Sequence, residues 1–452
     1  MRRRRVLTRS LTAGKGRTVA EPVPATLRAY RLLTSAALPL VPRLIARRVK
    51  RGKEHPARIG ERRGETSVVR PPGPLIWVHG ASVGELLSAI PLIERIRARN
   101  FAVLVTSGTI TSAGIAAQRL PPGVIHQFAP FDLPQFVTRF LDHWKPDLAL
   151  LVESDLWPNL ILAATERGIP LIMVNGRVSE RSYRRWRWLP GTIASLLRRF
   201  DLCLAQSTLD AQRYEDLGAP RITMTGNLKL DAPPPPADES KLAAVRSAIA
   251  DRPVIAATST HPGEEAMLVD AHRRLRGSFP GLLTTIAPRH PERGRGIVEI
   301  AAASGLNAIQ RSRGHLPDRG TDIYVCDTVG ELGLVYRLAP IVFVGGSLAS
   351  RGGQNPIEAI KLGAAVLHGP HVWNFAEIYD ALGAAHGAEM VTDANKLAVR
   401  IGAWLTDPAA RQRSAASATA AIGKLCGALE RTLAALDPYL MQLQLEQRSG
   451  DA

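Results

Sequence analysis

Cysteine is nearly missing from this chain of 452 residues. The three present, Cys203, Cys326 and Cys426, lie far apart and form no CxxC, so the simplest reading is reduced core residues and no disulfide framework. The 11 histidines show no HxxxH spacing and no pairing with cysteine, which leaves zinc without a ligand set. No Walker pattern occurs and no GxGxxG follows a first strand, which argues against ATPase and dinucleotide chemistry. Long apolar runs are also lacking. The uncharged run 32–42 has 11 residues, whereas a spanning helix needs roughly 20. No small-residue cleavage site follows it, so a secretory signal is not expected.

What is present begins with an uneven charge. Residues 1–70 hold 19 of the 58 Lys/Arg but only 4 of the 40 Asp/Glu, so most of the formal +18 sits at the front and the rest is close to neutral. A nucleic-acid binder would spread its basic surface over a folded domain, so no nucleic-acid partner is expected. The run 32–42 is bracketed by Arg28 and Arg31 before it and by Arg43, Arg47, Arg48, Lys50 and Arg51 after it. That arrangement fits a helix lying in a membrane interface, attracted to anionic headgroups, with the flanking cations favouring the cytoplasmic face. The competing reading is a helix packed on the body behind a disordered basic tail.

From Leu75 the pattern alternates strand, turn and helix. Strand-like runs fall at 75–79, 102–106, 124–128, 148–152, 171–174, 202–205 and 222–225, most of them bounded by Gly, Pro or Asn. Four consecutive prolines within 231–238 mark a semi-rigid connection. The alternation then restarts at 253–257, 282–287, 323–325, 341–344 and 365–368, and an amphipathic helix is expected from about 425 to 447. The hydrophobic content of 45% is enough for two proper cores. The expected fold is α/β of the GT-B type, two Rossmann-like domains with parallel sheets facing across a cleft. The expected divisions are a basic disordered extension (1–24), an amphipathic membrane-associating segment (25–70), a first Rossmann-like domain (71–230), the Pro-rich linker (231–238), a second Rossmann-like domain (239–424) and a terminal helix (425–452).

Several strand ends carry chemistry. His79-Gly-Ala-Ser-Val-Gly-Glu85 runs from a strand into a helix marked by Leu86, Leu87, Ile90, Leu92 and Ile93, which puts Glu85 in the first helical turn. A charged carboxylate there, at the carboxyl end of a strand, can act as a general base; it can equally serve only the helix dipole. Thr106-Ser-Gly-Thr-Ile-Thr-Ser112 could hold an oxyanion or a sugar, or simply cap a helix. Glu153 and Asp155 emerge from the strand 148–152 on the same edge as Glu85, and three carboxylates in one crevice need substrate hydroxyls or cations as partners. The plainer role for Asp155 is capping the helix that Pro158 begins. The Arg-dense stretch 175–188, with Tyr183, Trp186 and Trp188, suits a phosphorylated lipid headgroup better than a nucleic acid. Lys229 stands at the end of the last strand before the prolines.

In the second half, Arg289 lies where a donor phosphate would rest, and Thr328-Val-Gly-Glu-Leu332 starts a short helix. The turn Gly352-Gly-Gln-Asn-Pro-Ile-Glu358 offers amides to a phosphate and a carboxylate to ribose hydroxyls.

Taken together, the strings HGASVGE (79–85), ESDLWPN (153–159), NGRVSERS (175–182), GNLK (226–229), APRHPER (287–293), VGELG (329–333), GGS (345–347) and GGQNPIEA (352–359) resemble the 3-deoxy-D-manno-octulosonic acid (Kdo) transferases of lipopolysaccharide assembly. The resemblance runs from about residue 25 to about 430, and the first ~20 residues are an addition to the family pattern. It implies inverting transfer of Kdo from CMP-Kdo to the lipid A precursor, with no metal and no cofactor, at the cytoplasmic face of the inner membrane. The first domain would then bind acceptor and the second the CMP-sugar. Glu85 matches the base that deprotonates the acceptor hydroxyl, and Asp155 and Lys229 match positions that stabilise the transition state. Many members carry Glu where this chain has Asp155, one methylene longer. Pro288 and Arg289, the turn of Val329, Gly330 and Glu331, and the turn of Asn355, Pro356, Ile357 and Glu358 match the CMP-binding segments. Three rivals stay in view: another acceptor or a UDP-sugar donor, a hydrolysing sugar-nucleotide epimerase on the same fold, and nucleic-acid binding through residues 181–188.

Overall fold

The computed structural model describes residues 22–153 and 156–450, so Asp155 and nearly all of the expected extension 1–24 lie outside the described residues. The chain divides into two compact units, Met1–Met224 with Leu436–Ala452, and Thr225–Ala435.

The first unit is built on a seven-stranded parallel sheet: β1 (Leu75–His79), β2 (Ala102–Ser107), β3 (Ile125–Phe128), β4 (Leu148–Val152), β5 (Leu171–Gly176), β6 (Leu202–Ala205) and β7 (Ile222–Met224), in the order β3-β2-β1-β4-β5-β6-β7. Every residue of β1 and β4 is buried, as expected of strands covered by helices on both faces. The order grows outward from β1 in one direction and from β4 in the other. The carboxyl ends of these two neighbours are therefore the point of reversal, where open α/β sheets take ligands.

The front end belongs to this unit. Pro39 and Pro42 divide it into helices Ala25–Ala36 and Val41–Lys50 with a short turn between. Leu27, Val41 and Ile45 are buried, the last two against Phe136. Leu32 and Leu33 are each 71% exposed, and Leu40 and Leu44 are exposed too. One face of the segment packs on the body, while the other is apolar and exposed. A buried ion pair pins the segment. The Arg62 guanidinium donates to Glu54 (2.9 Å) and to the carbonyls of Ala129 (3.1 Å) and Gly108 (2.6 Å), with the Phe128 ring beneath it. Such a group tolerates burial because its charge and most of its donors are matched.

The second unit repeats the plan. Its strands are β8 (Val254–Thr260), β9 (Leu283–Pro288), β10 (Ala308–Gln310), β11 (Ile323–Val325), β12 (Ile341–Val344), β13 (Ala365–His368) and β14 (Ala388–Met390), all parallel in the order β10-β11-β9-β8-β12-β13-β14. Its point of reversal lies between β8 and β12. The sequence pattern missed β10 and β14, edge strands of only three residues each. Residues 231–238 form neither helix nor strand and fall within this unit, where the Pro235 and Pro236 carbonyls crowd Gly333 and leave no room for a side chain there. The Asp231 carboxylate accepts from the amides of Gly427 (2.8 Å) and Leu429 (2.6 Å), which starts the last helix, Ala428–Gly450. No helix among the described residues is long and apolar enough to cross a membrane.

Candidate active site

Glu85 stands one turn into the helix Val83–Arg97, which follows β1 after a tight turn. The N-cap Ser82 hydroxyl accepts from the Glu85 amide (3.3 Å) and donates to Glu85 Oε1 (2.7 Å), while Oε2 accepts from the Ala81 amide (2.7 Å). This is a capping box slipped back by one residue, so the helix-stabilising role is real. It also fixes the carboxylate in place at the sheet edge. The turn beneath is itself anchored: Gly108 donates to the Ala81 carbonyl (3.0 Å), and a side chain at Gly108 would strike that carbonyl.

Glu153 follows β4, the strand paired with β1, so it leaves the sheet at the same edge. Its φ of 65° is left-handed, a conformation few non-glycine residues adopt and one that clusters at functional sites. Asp132 supports the start of the next helix. The first amides of helix Pro158–Glu166 donate to Asp132, at 3.1 Å from Asn159 and 2.9 Å from Leu160, and Tyr30 of the front end donates to the same carboxylate at 3.0 Å. Burial pushes the Asp132 carboxyl up, and these hydrogen bonds oppose it.

The segment 106–112 proves structural. Thr109 and Ser112 form a reciprocal capping box for helix Ile110–Arg119. The Thr106 hydroxyl is buried between His79 Nδ1 (2.8 Å) and Trp77 Nε1 (2.9 Å). In the Arg-rich stretch, Arg184 pairs with Glu180 (2.7 Å) and Arg187 lies over the Tyr183 ring. Trp186 packs against the core, whereas Trp188 is 85% exposed.

In the second unit Lys229 sits in the turn Leu228–Leu230, whose two leucines are buried while the lysine between them is not. Asn227 caps this turn by accepting from the Lys229 amide (3.0 Å). The structure brings Lys229 toward Glu358. Burial raises the Glu358 carboxyl above its ordinary range, and the Lys229 charge and a hydrogen bond from Asn355 pull it back. Asn355 also accepts from the Ile357 amide (3.0 Å), which starts helix Ile357–Lys361 after Pro356. Two amides expected to cradle a phosphate do not face outward. Gly353 donates to the Gly346 carbonyl (2.9 Å) and Gln354 to that of Gly345 (3.0 Å), because the positive φ of Gly352 and Gly353 folds the turn back onto the end of β12.

Glu331 is held by Arg311 (2.5 Å), Lys241 (3.0 Å) and Thr328. The Arg311 bond, aided by those from Thr328 and Lys241, lowers its carboxyl to about 2 despite partial burial. This carboxylate anchors the turn that presents Val329, 62% exposed, and Gly330, whose φ is +85°. Pro288 ends β9; Arg289 is exposed and its amide donates to the Thr260 carbonyl (3.0 Å).

Sequence reasoning passed over Glu264. Fully buried, its carboxylate accepts from five backbone amides: His261 (2.8 Å), Gly346 (2.8 Å), Ser347 (3.0 Å), Leu348 (2.9 Å) and Ala349 (3.2 Å). It joins the turns after β8 and β12 at the point of strand reversal. A Glu just after a glycine at a helix start was the only local signal, and four of its five partners lie more than 80 residues on.

The family described as 3-deoxy-D-manno-octulosonic-acid transferase (kdotransferase) matches residues 57–232. A probable mitochondrial 3-deoxy-D-manno-octulosonic acid transferase of Arabidopsis thaliana is 38% identical over 82% of this chain and 86% of its own. The 3-deoxy-D-manno-octulosonic acid transferase of Haemophilus influenzae is 34% identical over 82% of this chain and 88% of its own. Among solved structures, a glycosyltransferase from Rickettsia africae superposes with a TM-score of 0.55 at 11% identity, over 83% of this chain and 99% of that one, a likeness of fold.

Proposed function

The chain belongs to the 3-deoxy-D-manno-octulosonic acid transferase family and is a glycosyltransferase, and on that footing we propose that it moves Kdo from CMP-Kdo to a lipid A precursor with inversion at the anomeric carbon. The observation carrying the mechanism is the Glu85 carboxylate, fixed by the Ala81 amide and the Ser82 hydroxyl beyond the carboxyl end of β1. A sugar hydroxyl has a high pKa, so attack on the anomeric carbon needs a base that takes the proton as the new C–O bond forms. Glu85 has the chemistry and the fixed orientation for that step.

As the bond to the CMP oxygen breaks, negative charge grows on the phosphate. Arg289 is the cation suited to it, since guanidinium matches phosphate bidentately. Pro288, the Val329–Glu331 turn and the Asn355–Glu358 turn form the rest of the CMP surface, with Glu358 accepting from ribose hydroxyls. Lys229 and Asp155 are the further groups assigned to the transition state. Purified protein given CMP-Kdo and tetra-acylated, bisphosphorylated disaccharide should release CMP and form a Kdo–lipid product. Turnover of a UDP-sugar in place of CMP-Kdo would overturn this reading.

The acceptor is acylated and phosphorylated, so it must be met at a membrane, and the reading places the enzyme on the cytoplasmic face of the inner membrane. Support comes from the exposed Leu32, Leu33, Leu40 and Leu44, ringed by exposed Arg28, Arg43, Arg47 and Lys50. Burying a leucine in the interface contributes up to about 1.5–3 kcal/mol. Replacing Leu32 and Leu33 by Asp should weaken co-sedimentation with phosphatidylglycerol-containing vesicles at least tenfold while activity on a deacylated, water-soluble acceptor persists. Undiminished vesicle binding would show that this face is not the docking surface.

A further inference from the structure

Around the second point of strand reversal lie two arginines and two histidines, more than the phosphate of CMP alone requires. Glu264 clamps the His261 backbone to residues 346–349, which brings the ends of β8 and β12 together. His261 then lies over Gly346, with its Nε2 3.3 Å from Gln354 Nε2 and its ring 6.1 Å from the His290 ring, edge to face. Arg289 and His290 extend from the end of β9, where the Arg289 amide is tied to the Thr260 carbonyl (3.0 Å). Arg351 enters from the turn after β12, its amide bonded to the carbonyls of Ala349 (2.6 Å) and Gly346 (3.3 Å).

The Arg289 and Arg351 guanidinium groups are exposed and have no hydrogen-bond or ion-pair partner among the described residues. Nearby carboxylates do not answer them. Glu264 is fully engaged by backbone amides, Glu265 pairs with Arg293 at 3.2 Å, and the exposed Glu292 stands 3.9 Å from His290. The two guanidinium groups are thus left without a carboxylate partner among the described residues. Burial holds His261 below the ordinary imidazole range; Glu264 opposes this, and the charges of His290, Arg351 and Arg289 add to it.

We propose that Arg351, His261 and His290 form a second anion subsite beside Arg289, which takes the carboxylate of the transferred sugar. The inference rests on CMP-Kdo being the donor. That molecule carries two anions, a singly charged phosphodiester and a carboxylate on the anomeric carbon, three bonds from phosphorus. A ligand held by its phosphate at Arg289 therefore has its carboxylate within reach of the neighbouring cations, and two guanidinium groups match two negative charges. Neutral sugars on a nucleotide leave the second guanidinium unanswered, so the subsite selects a 2-ulosonic acid over an aldose.

Calorimetric affinities of the full-length protein for CMP-Kdo and for the methyl ester of CMP, a phosphodiester without the carboxylate, separate the two subsites. Wild type should bind CMP-Kdo more tightly than the ester. Arg351→Gln should weaken CMP-Kdo by about tenfold or more, the scale of a charge-assisted hydrogen bond, and leave the ester within about twofold. His261→Gln should shift the same ligand in the same direction. Equal weakening of both ligands would reassign Arg351 to the phosphate, and no change in either would remove it from the site; both results overturn the proposal. Turnover is measured in parallel. A wild type that binds CMP-Kdo but transfers nothing defeats the transferase reading while the binding comparison still judges the subsite.

Discussion

Glu85→Gln should cut Kdo transfer by about 10²–10⁴-fold, the span that general-base catalysis typically contributes, with donor KM little changed. The substitution separates the capping role seen in the structure from the proposed role as base. Glutamine is an accepted capping-box partner, so its side-chain oxygen can still meet the Ala81 amide or the Ser82 hydroxyl. Thermal unfolding should consequently move by no more than a few degrees. A base that only caps its helix predicts full activity in this variant, and that outcome would remove Glu85 from the chemistry. Glu85→Ala is the less informative change, because it deletes the cap and the base together and costs about 1 kcal/mol from the cap alone.

Lys229→Met should lower kcat by about 10²–10³-fold, the scale for losing one group that stabilises developing negative charge. The neighbour gives the prediction a second readout. Burial already raises the Glu358 carboxyl and the Lys229 charge restrains it, so removing that charge lets the carboxyl rise further. A group whose ionised form is disfavoured regains it only at higher pH. If ionised Glu358 holds the ribose hydroxyls, donor KM in the variant should improve as pH is raised, more steeply than in wild type. Steady-state kinetics from pH 6 to 9 read both effects. Wild-type kcat in Lys229→Met would eliminate the lysine from the reaction.

Both sites show where local pattern carried the argument and where it stopped. The central strand ends were legible because buried parallel strands such as β1 and β4 read as apolar runs. The place of Glu85 in a first helical turn was legible because the apolar spacing after it marks a helix start. The competing uses of polar residues were not. Thr106 to Ser112 offered hydroxyls to a ligand, yet they serve His79, Trp77 and a capping box. Asp132, which carried no signal in the sequence, accepts from the first amides of the helix at Pro158 from a loop 27 residues away. The amides of Gly353 and Gln354 promised a phosphate cradle and instead close onto the end of β12.

The sequence by itself determined the repeated α/β plan, the basic and apolar front end, and the order of motifs that shows the family. Those are properties of periodicity and spacing, and local sterics and burial enforce them along the chain. Only the tertiary structure decided which polar groups are consumed inside the protein and which are presented to a ligand. Glu264 is the clearest case. Its carboxylate meets amides more than 80 residues ahead, and that clamp gathers His261 and Arg351 beside Arg289. Hydrogen bonds that join two distant turns leave no period in the sequence, because each partner is an ordinary backbone amide that any residue could supply.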